Sequence, residues 1–469
     1  MNADEFRRAG YRLIDWIAAY RAGVESRPVM ARTQPGDTKR RLPASPPQDP
    51  ESFETILDDV DRHVIPGITT WQHPRFFGYF PSNALFSSLL GDYLSSGLGV
   101  IGLAWQSSPA LTEVEEVVVD WMRQMLGLSD AWSGVINDTA STSTLVALLC
   151  ARERASNYSL SRGGLQAEAQ PLIVYTSSQS HSSVEKAAVL AGFGKDNVRS
   201  IPHDATYAMR TDALAEAIAD DIGHGRRPCA VVATTGTTTS TAFDPIDAIA
   251  RVINGRGIWL HVDAAMAGSA MILPECRQLW QGVESADSVI VNAHKWLGAV
   301  FDCTLYFVRD PEHLVRVMST NPSYLQSAAD GRVKNYRDWG LPLGRRFRAL
   351  KLWFLIREQG VAQLQARLRR DIENAKWLAG EVARTSNWKV LAPVALQTVC
   401  LRHEPPHLSG EALDRHTLEW AARLNQSGDA FVTPAMLDGR WMVRVSIGGE
   451  LTERQHVAQV WKLIQQASN

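Results

Sequence analysis

Cysteine is scarce in this chain. Its five residues (Cys150, Cys229, Cys276, Cys303 and Cys400) are odd in number and widely separated. Neither a disulfide framework nor a zinc spacing emerges, and a reducing cytoplasm is the expected compartment. Net charge is nearly absent too, at −2 over 469 residues, which gives no electrostatic reason to expect nucleic acid or an anionic membrane as partner. No apolar run approaches membrane-spanning length. The stretch 1–23 intersperses Asp4, Glu5, Arg7, Arg8, Arg12 and Asp15 among its apolar residues. That is an amphipathic helix rather than a signal peptide, so a soluble intracellular protein is expected. Also missing are a Gly-x-Gly-x-x-Gly after a strand and a P-loop, which weakens nicotinamide and nucleotide readings. The string His403-Glu404-Pro405-Pro406-His407 matches a zinc-protease pattern, but two prolines remove the helix that would put both histidines on one face. Internal repeats and low-complexity segments are lacking.

What is present is globular composition, 45% hydrophobic and 21% charged, in a chain too long for one ordinary core. Residues 1–23 read as a helix with Tyr11, Leu13, Ile14, Trp16, Ile17 and Tyr20 on its apolar side. A proline-rich polar stretch, 27–50, reads as an irregular arm, and helical patterns follow at 52–64 and 84–96. A helix at 109–126 places Glu113, Glu115 and Glu116 near its N-terminal end, where the helix dipole favours them. Beyond it, short Val- and Ile-rich runs at 171–176, 229–235, 259–263, 288–293 and 304–308 are joined, among the earlier ones, by helical patterns at 183–191, 211–222 and 245–253. Buried strands alternating with helices mean a largely parallel sheet covered on both faces. The close succession of the last two runs suggests one antiparallel neighbour. A long helix at 347–359 leads into a second helical pattern ending at 384. Two strands, 396–401 and 441–447, lie between helices and suggest a small α+β domain. The basic runs 345–348 and 367–370 read as solvated helix faces or internal ion pairs.

In an open parallel sheet, ligands bind outside the carboxyl ends of the strands. Four expected strand ends carry reactive groups: Ser180-His181-Ser182-Ser183, Gly236-Thr237-Thr238-Thr239, Asp263-Ala264-Ala265 and Asn292-Ala293-His294-Lys295. A strand-end lysine in a cleft can be desolvated, lose its proton and attack a carbonyl, and the carbonyl most often offered to it is the aldehyde of pyridoxal phosphate. Lys295 would then bond covalently to that aldehyde. Asp263 would hold the pyridinium nitrogen protonated so that the ring acts as an electron sink. His181 could stack on the ring. The plainer readings are a lysine snorkelling into water, an aspartate capping the next helix and a satisfied loop histidine. The phosphate needs a donor-rich helix start, and residues 138–144 supply five hydroxyls in seven positions before an expected helix at 145–152.

Six motifs extend the reading: His73-Pro74-Arg75-Phe76-Phe77-Gly78-Tyr79, Ser108-Pro109-Ala110-Leu111-Thr112-Glu113, Ser180-His181-Ser182-Ser183-Val184-Glu185-Lys186, His261-Val262-Asp263-Ala264-Ala265, Asn292-Ala293-His294-Lys295-Trp296 and Pro342-Leu343-Gly344-Arg345-Arg346-Phe347-Arg348. With them the chain resembles, from Phe6 to about Gln465, the pyridoxal-phosphate-dependent group II decarboxylases, and among them the aromatic-L-amino-acid decarboxylases. The resemblance implies an α/β enzyme of fold type I, with a mainly parallel seven-stranded sheet in a large domain (86–370). An N-terminal helical arm (1–85) would embrace a partner subunit, and a small α+β domain would fill 371–469. It implies a homodimer with its active site at the subunit interface. Cofactor contacts map onto Ala140, Ser141, His181, Thr238, Asp263, Ala265, Asn292, His294 and Lys295. The aromatic substrate pocket maps onto Trp71, Tyr79, Phe80 and Pro81, with Ile101 and Leu103 from the other subunit.

The segment 323–341 looks like the family's mobile lid, and within it Tyr336 is matched to the acid that protonates the substrate α-carbon after carbon dioxide leaves. Related aldehyde synthases carry phenylalanine at that place, so a tyrosine favours a decarboxylase. Leu103 departs from the phenylalanine common in animal aromatic decarboxylases, which enlarges the ring pocket enough for an indole. The implied activity is decarboxylation of L-aromatic amino acids to arylalkylamines, with Lys295, Tyr336, His181 and Asp263 as catalytic residues and no metal. Decarboxylation with oxidative deamination to an aromatic aldehyde is the alternative. A protein that binds the cofactor without catalysis is a third reading, against which a lid acid argues.

Overall fold

A computed structural model describes residues 1–320 and 329–468. The chain divides into two compact units: residues 82–370 with 392–396, and residues 1–81 with 371–391 and 397–469. The larger unit is built on seven strands: β1 (Ser133–Asn137), β2 (Leu172–Ser177), β3 (Val198–Ile201), β4 (Arg227–Thr234), β5 (Trp259–Asp263), β6 (Ser288–Asn292) and β7 (Thr304–Val308). Their spatial order is β1-β7-β6-β5-β4-β2-β3. The five from β3 to β6 run parallel, and β7 lies antiparallel between β6 and β1. Every residue of β2, β5, β6 and β7 is buried, as a sheet covered on both faces requires. Burying Val289, Ile290 and Val291 contributes about 1.5–3 kcal/mol each.

The helix Pro109–Leu126 and the strands Trp259–Asp263 and Thr304–Val308 match the sequence reading. Two strands of the larger unit, and Trp388–Val390 and Thr433–Leu437 of the smaller one, were missed. Ser133–Asn137 is a five-residue edge strand containing Gly134, a Cβ at which would meet Phe307 Cδ1 at 2.7 Å and Val119 Cγ1 at 2.8 Å. Val198–Ile201 lies at the other edge and is fully buried only at Ile201. Beside β1, Glu115 is fully buried and does more than answer a helix dipole. Its Oε1 accepts the Ile136 N–H at 2.9 Å, while Arg345 forks onto both carboxylate oxygens at 2.6 and 2.9 Å and donates to the Ile136 carbonyl at 2.7 Å. Arg348 pairs in the same way with Asp302 at 3.0 and 3.1 Å. The basic run 345–348 thus contains internal ion pairs, the second of the two readings given for it.

The smaller unit holds a four-stranded antiparallel sheet of order β10-β11-β9-β8, made of β8 (Trp388–Val390), β9 (Thr398–His403), β10 (Thr433–Leu437) and β11 (Arg440–Ser446). N-terminal residues join it directly. Val29 N–H donates to Gly428 O at 2.8 Å, Phe77 N–H to Phe431 O at 2.8 Å, and Ser446 N–H to Phe77 O at 3.0 Å. The N-terminal residues therefore share one compact unit with the C-terminal strands. The helix Ala3–Ala22 starts on an Asn2–Glu5 capping box and buries no residue. His403 ends a strand, with its Nδ1 2.9 Å from His416 Nε2, and no metal-ligating cluster occurs among the described residues. No helix among them is long and apolar enough to cross a membrane.

Candidate active site

The carboxyl ends of β4, β5 and β6 are tied together by backbone bonds that fix where their side chains emerge. Thr235 N–H donates to Asp263 O at 2.9 Å, Ala264 N–H to Ile290 O at 3.1 Å, and Asn292 N–H to Ala265 O at 2.9 Å. These bonds are long-range consequences of the parallel register, in which Thr234 faces Asp263 and Asp263 faces Ile290.

Lys295 lies in a wide helical turn, Ala293–Leu297, that follows β6 directly. Its φ of −96° and ψ of −110° depart from helical geometry, so its side chain leaves the turn in a direction a regular helix would not give. The turn ends on Gly298 at φ 109°, a conformation that favours glycine. Next to it, the buried His294 accepts Cys303 N–H on Nδ1 at 2.9 Å. Burial, and then the Lys295 charge, push the His294 pKa down to about 4, so at neutral pH the ring is uncharged.

Asp263 is 5% exposed. Its Oδ1 accepts Ala265 N–H at 3.0 Å, and no other hydrogen bond to its carboxylate occurs among the described residues. A nearly buried carboxylate with one oxygen left over is costly unless a cationic donor completes it; a protonated pyridine nitrogen is such a donor. The Ala265 N–H bond is of the capping kind weighed for Asp263 and leaves its other oxygen for a further partner. His181 is the N-cap of the helix Ser182–Leu190, and its Nδ1 accepts the Ser183 N–H at 3.1 Å with Ser183 Oγ at 2.7 Å. That fixes Nε2 as the protonated nitrogen of the neutral ring. Burial lowers the His181 pKa, the Asp263 charge raises it and the Lys295 charge lowers it, so all three groups lie within electrostatic reach of one another.

The helix expected at 145–152 begins earlier, at Ala140, and runs to Ala155. Thr139 caps it, accepting Thr142 N–H at 3.4 Å. Ser143 and Thr144 therefore lie buried inside the first turns, and Ser143 Oγ accepts Asn137 Nδ2 at 3.0 Å. Five hydroxyls do not converge on an anion. What remains for one is the pair of N–H groups of Ala140 and Ser141, without partners among the described residues, beside the exposed Ser141 hydroxyl. Across the sheet, Asn292 Oδ1 takes a 2.8 Å bond from Thr304 Oγ1, which turns the amide nitrogen away from that contact.

Thr238 sits in the turn after β4, where Gly236 and Thr237 N–H groups both donate to Ala242 O, at 2.8 and 3.0 Å. A residue not singled out from sequence holds this turn. Asp244 is buried, with one oxygen accepting Thr234 N–H and the other Met209 N–H, each at 2.7 Å. Burial raises its pKa to about 7. Only an acid lying beside the Thr-rich turn could have hinted at this, because Met209 is far away in sequence.

Tyr336 begins a short 3-10 turn, Tyr336–Trp339, and is 3% exposed. Its Oη is buried without a hydrogen-bond partner among the described residues, its ring lies 5.5 Å from Trp339, and the Arg345 guanidinium sits 5.0 Å from the ring centroid. Burial, with the Glu115 and Glu116 charges adding to it, holds the phenol well above its ordinary pKa. Residues 323–328 of the expected lid lie outside the described residues.

The substrate-pocket residues divide between the units. In the smaller one, Trp71 stacks on Tyr79 at 5.4 Å and 9°, and Phe431 stacks on both Tyr79 and Phe76. Phe80 lies 4.5 Å from the buried Arg444 guanidinium, which donates to Tyr79 O at 3.2 Å, and Pro81 is buried. In the larger unit, Ile101 is exposed and Leu103 partly buried on an extended segment held by Gly102 N–H donating to Arg345 O at 2.9 Å.

A seven-stranded, mostly parallel sheet with a lysine after one strand end, a buried aspartate after its neighbour and a histidine nearby defines a pyridoxal-phosphate enzyme of fold type I. The unfinished Asp263 carboxylate and the two free helix-start amides fit that cofactor's two charged ends. Comparison with known proteins gives the family. Residues 35–404 match the pyridoxal-dependent decarboxylase conserved domain. A phenylacetaldehyde synthase of Arabidopsis thaliana is 40% identical, covering 100% of this chain and 97% of that protein. Tryptophan decarboxylase 2 of Oryza sativa subsp. japonica is 39% identical over 99% and 94%. A crystal structure of Oryza sativa TDC with PLP and tryptamine superposes with a TM-score of 0.97 at 38% identity, covering 100% of this chain and 98% of that one. The chain belongs to the pyridoxal-dependent decarboxylases, which are carboxy-lyases, and its cofactor is pyridoxal 5′-phosphate.

Proposed function

We propose that this chain decarboxylates L-aromatic amino acids to the corresponding arylalkylamines and carbon dioxide. The observation that carries the reading is the convergence of Lys295, Asp263 and His181 at one sheet edge; relatives named for tryptophan and tyrosine decarboxylation support the substrate class. Bound there, pyridoxal phosphate supplies an aldehyde for the amine and a ring that accepts the electron pair left when carbon dioxide departs. Ala140, Ser141 and Thr238 would hold its phosphate, and Asn292, His294 and Ala265 would shape the wall. Lys295 would hold the cofactor through its amine and make way for the amine of the substrate. Asp263 would place its carboxylate beside the ring nitrogen, and His181 would stack on the ring. Trp71, Tyr79, Phe80 and Pro81, with Ile101 and Leu103 of the partner subunit, would receive the aromatic side chain. A lid of the kind the resemblance implies would exclude water from the reacting carbon.

Tyr336, the acid implied by the family resemblance, would deliver the proton to the substrate α-carbon. Its ring rests beside Trp339 and Arg345, and burial holds its phenol well above the ordinary pKa, so the hydroxyl carries the proton it would give. A panel of phenylalanine, tyrosine, DOPA, tryptophan and 5-hydroxytryptophan, assayed for carbon dioxide, amine, peroxide and ammonia, tests the function and the donor together. The parent should release carbon dioxide and amine in equal amounts. Tyr336→Phe should lose amine formation by roughly 10²–10⁴-fold. Clean amine at the parental rate from that variant would overturn Tyr336 as the acid. Because one relative is a phenylacetaldehyde synthase, stoichiometric peroxide and ammonia from the parent would instead establish the oxidative reaction. No carbon dioxide from any of the five would leave only a cofactor-binding role.

We further propose a cytoplasmic homodimer with its active site at the subunit interface. The N-terminal helix leaves Phe6, Tyr11 and Ile14 exposed, and in the larger unit the helix Phe86–Leu98 leaves Phe86, Leu90, Tyr93 and Leu94 exposed. Apolar surface on this scale marks an interaction face. None of the five cysteines is joined in a disulfide, which suits a reducing compartment. Light scattering at micromolar concentration should give twice the single-chain mass; the single-chain value would overturn the dimer.

A further inference from the structure

The opposite, amino-terminal edge of the large sheet carries a second concave site. Between the starts of β4, β5 and β6 lies a cavity of about 750 Å³. Its walls include Ile222, Pro228, Ile253 and Ile258, and four arginines line it: Arg154, Arg227, Arg251 and Arg256. Along β5 the cavity is separated from Asp263 by the length of the strand, roughly 13 Å at about 3.3 Å per residue. It is therefore distinct from the lysine site.

The charges do not balance. Arg154 forks onto Asp287 at 2.6 and 3.0 Å and lies 4.5 Å from the Trp259 ring centroid. Asp287 is further engaged by Leu260 N–H at 2.7 Å. Arg251 pairs with Asp247, the other acid of the cavity, one helical turn away. Neither the Arg227 nor the Arg256 side chain makes an ion pair or hydrogen bond among the described residues. Both acids are thus spoken for while two guanidiniums stay uncompensated, in a chain whose net charge is −2. Arg154 and Arg227 also converge: both lower the pKa of the Cys229 thiol on β4, against a burial effect that carries it up to about 12. Guanidinium forks match carboxylate and phosphate oxygens in geometry and charge. An apolar wall beside them favours a ligand with a hydrocarbon or aromatic body over a bare ion.

We propose that this cavity binds a small organic oxyanion, an apolar body ending in phosphate or carboxylate, whose charged end pairs with Arg227 and Arg256. Phenyl phosphate and benzoate are the probes, titrated calorimetrically into the holoenzyme so that the cofactor already occupies the lysine site. At least one should bind saturably. The Arg227→Gln/Arg256→Gln double variant should weaken it by about tenfold or more, a loss of about 1.4 kcal/mol or more, with turnover unchanged. Which probe binds better identifies the anionic group. Absence of saturable binding by both, or binding indifferent to the double substitution, overturns the site. If inorganic phosphate binds as tightly as phenyl phosphate, the apolar wall contributes nothing and the organic ligand is ruled out. Circular dichroism of the double variant must match the parent, since both side chains are at the surface; should it not, Arg256→Gln alone, in the loop before β5, carries the test.

Discussion

Lys295→Ala is expected to abolish the visible absorbance that the cofactor gains on bonding to the lysine, once unbound cofactor is removed by gel filtration. Turnover should fall by roughly 10²–10⁴-fold, as for a group that must be present in one protonation state in the reacting complex. The expectation rests on position. No other lysine stands at the carboxyl ends of β4, β5 or β6. The fully buried Lys351 is committed elsewhere, 3.1 Å from Asp92 Oδ1 and donating to the carbonyls of Val300 and Asp302. Retention of both absorbance and turnover would sink the assignment. Loss of turnover with the absorbance intact would show that a different amine holds the aldehyde.

Glu115→Ala should destabilise the holoenzyme by about 3–5 kcal/mol, the range for removing one partner of a buried ion pair. Arg345 is 6% exposed and would lose both carboxylate oxygens at once. The same substitution strips the acceptor from the Ile136 N–H and loosens the platform on which the Tyr336 ring rests. A urea midpoint shift of the larger unit, followed by the fluorescence of its tryptophans, reads the effect. Glu115→Gln keeps an acceptor for Ile136 but not the charge, and should fall between parent and alanine. A midpoint within 1 kcal/mol of the parent for the alanine variant would mean that the pair only replaces the water it displaces.

Much of the larger unit was legible because its signals are local. A run such as Val289-Ile290-Val291 has few uses other than a buried strand, and Pro109 with the apolar spacing after it announces a helix start. The strand-end placement of Asp263 and Lys295 followed from the same runs. What escaped depends on partners distant in sequence. Ser133–Asn137 is a strand because β7 pairs with it, not because of its composition. The start of the helix at Ala140 was misplaced because Ser and Thr serve equally as caps and as first-turn residues. Asp244 and the Glu115–Arg345 fork needed the fold before their roles could be seen. The near-complete burial of Tyr336 likewise could not be read from the polar segment around it.

The Glu115–Arg345 fork sits on the outer side of β1, the last strand of the seven, and answers the Ile136 N–H and C=O as a neighbouring strand would. An uncovered edge is a template for a second chain, and native sheets blunt such edges with charge or cover. Here two side chains stand in for the missing strand at Ile136. Without them, chains transiently opened at this edge could pair with one another, so the first visible symptom of a Glu115 variant in a cell should be inclusion bodies at high expression, ahead of any loss of specific activity.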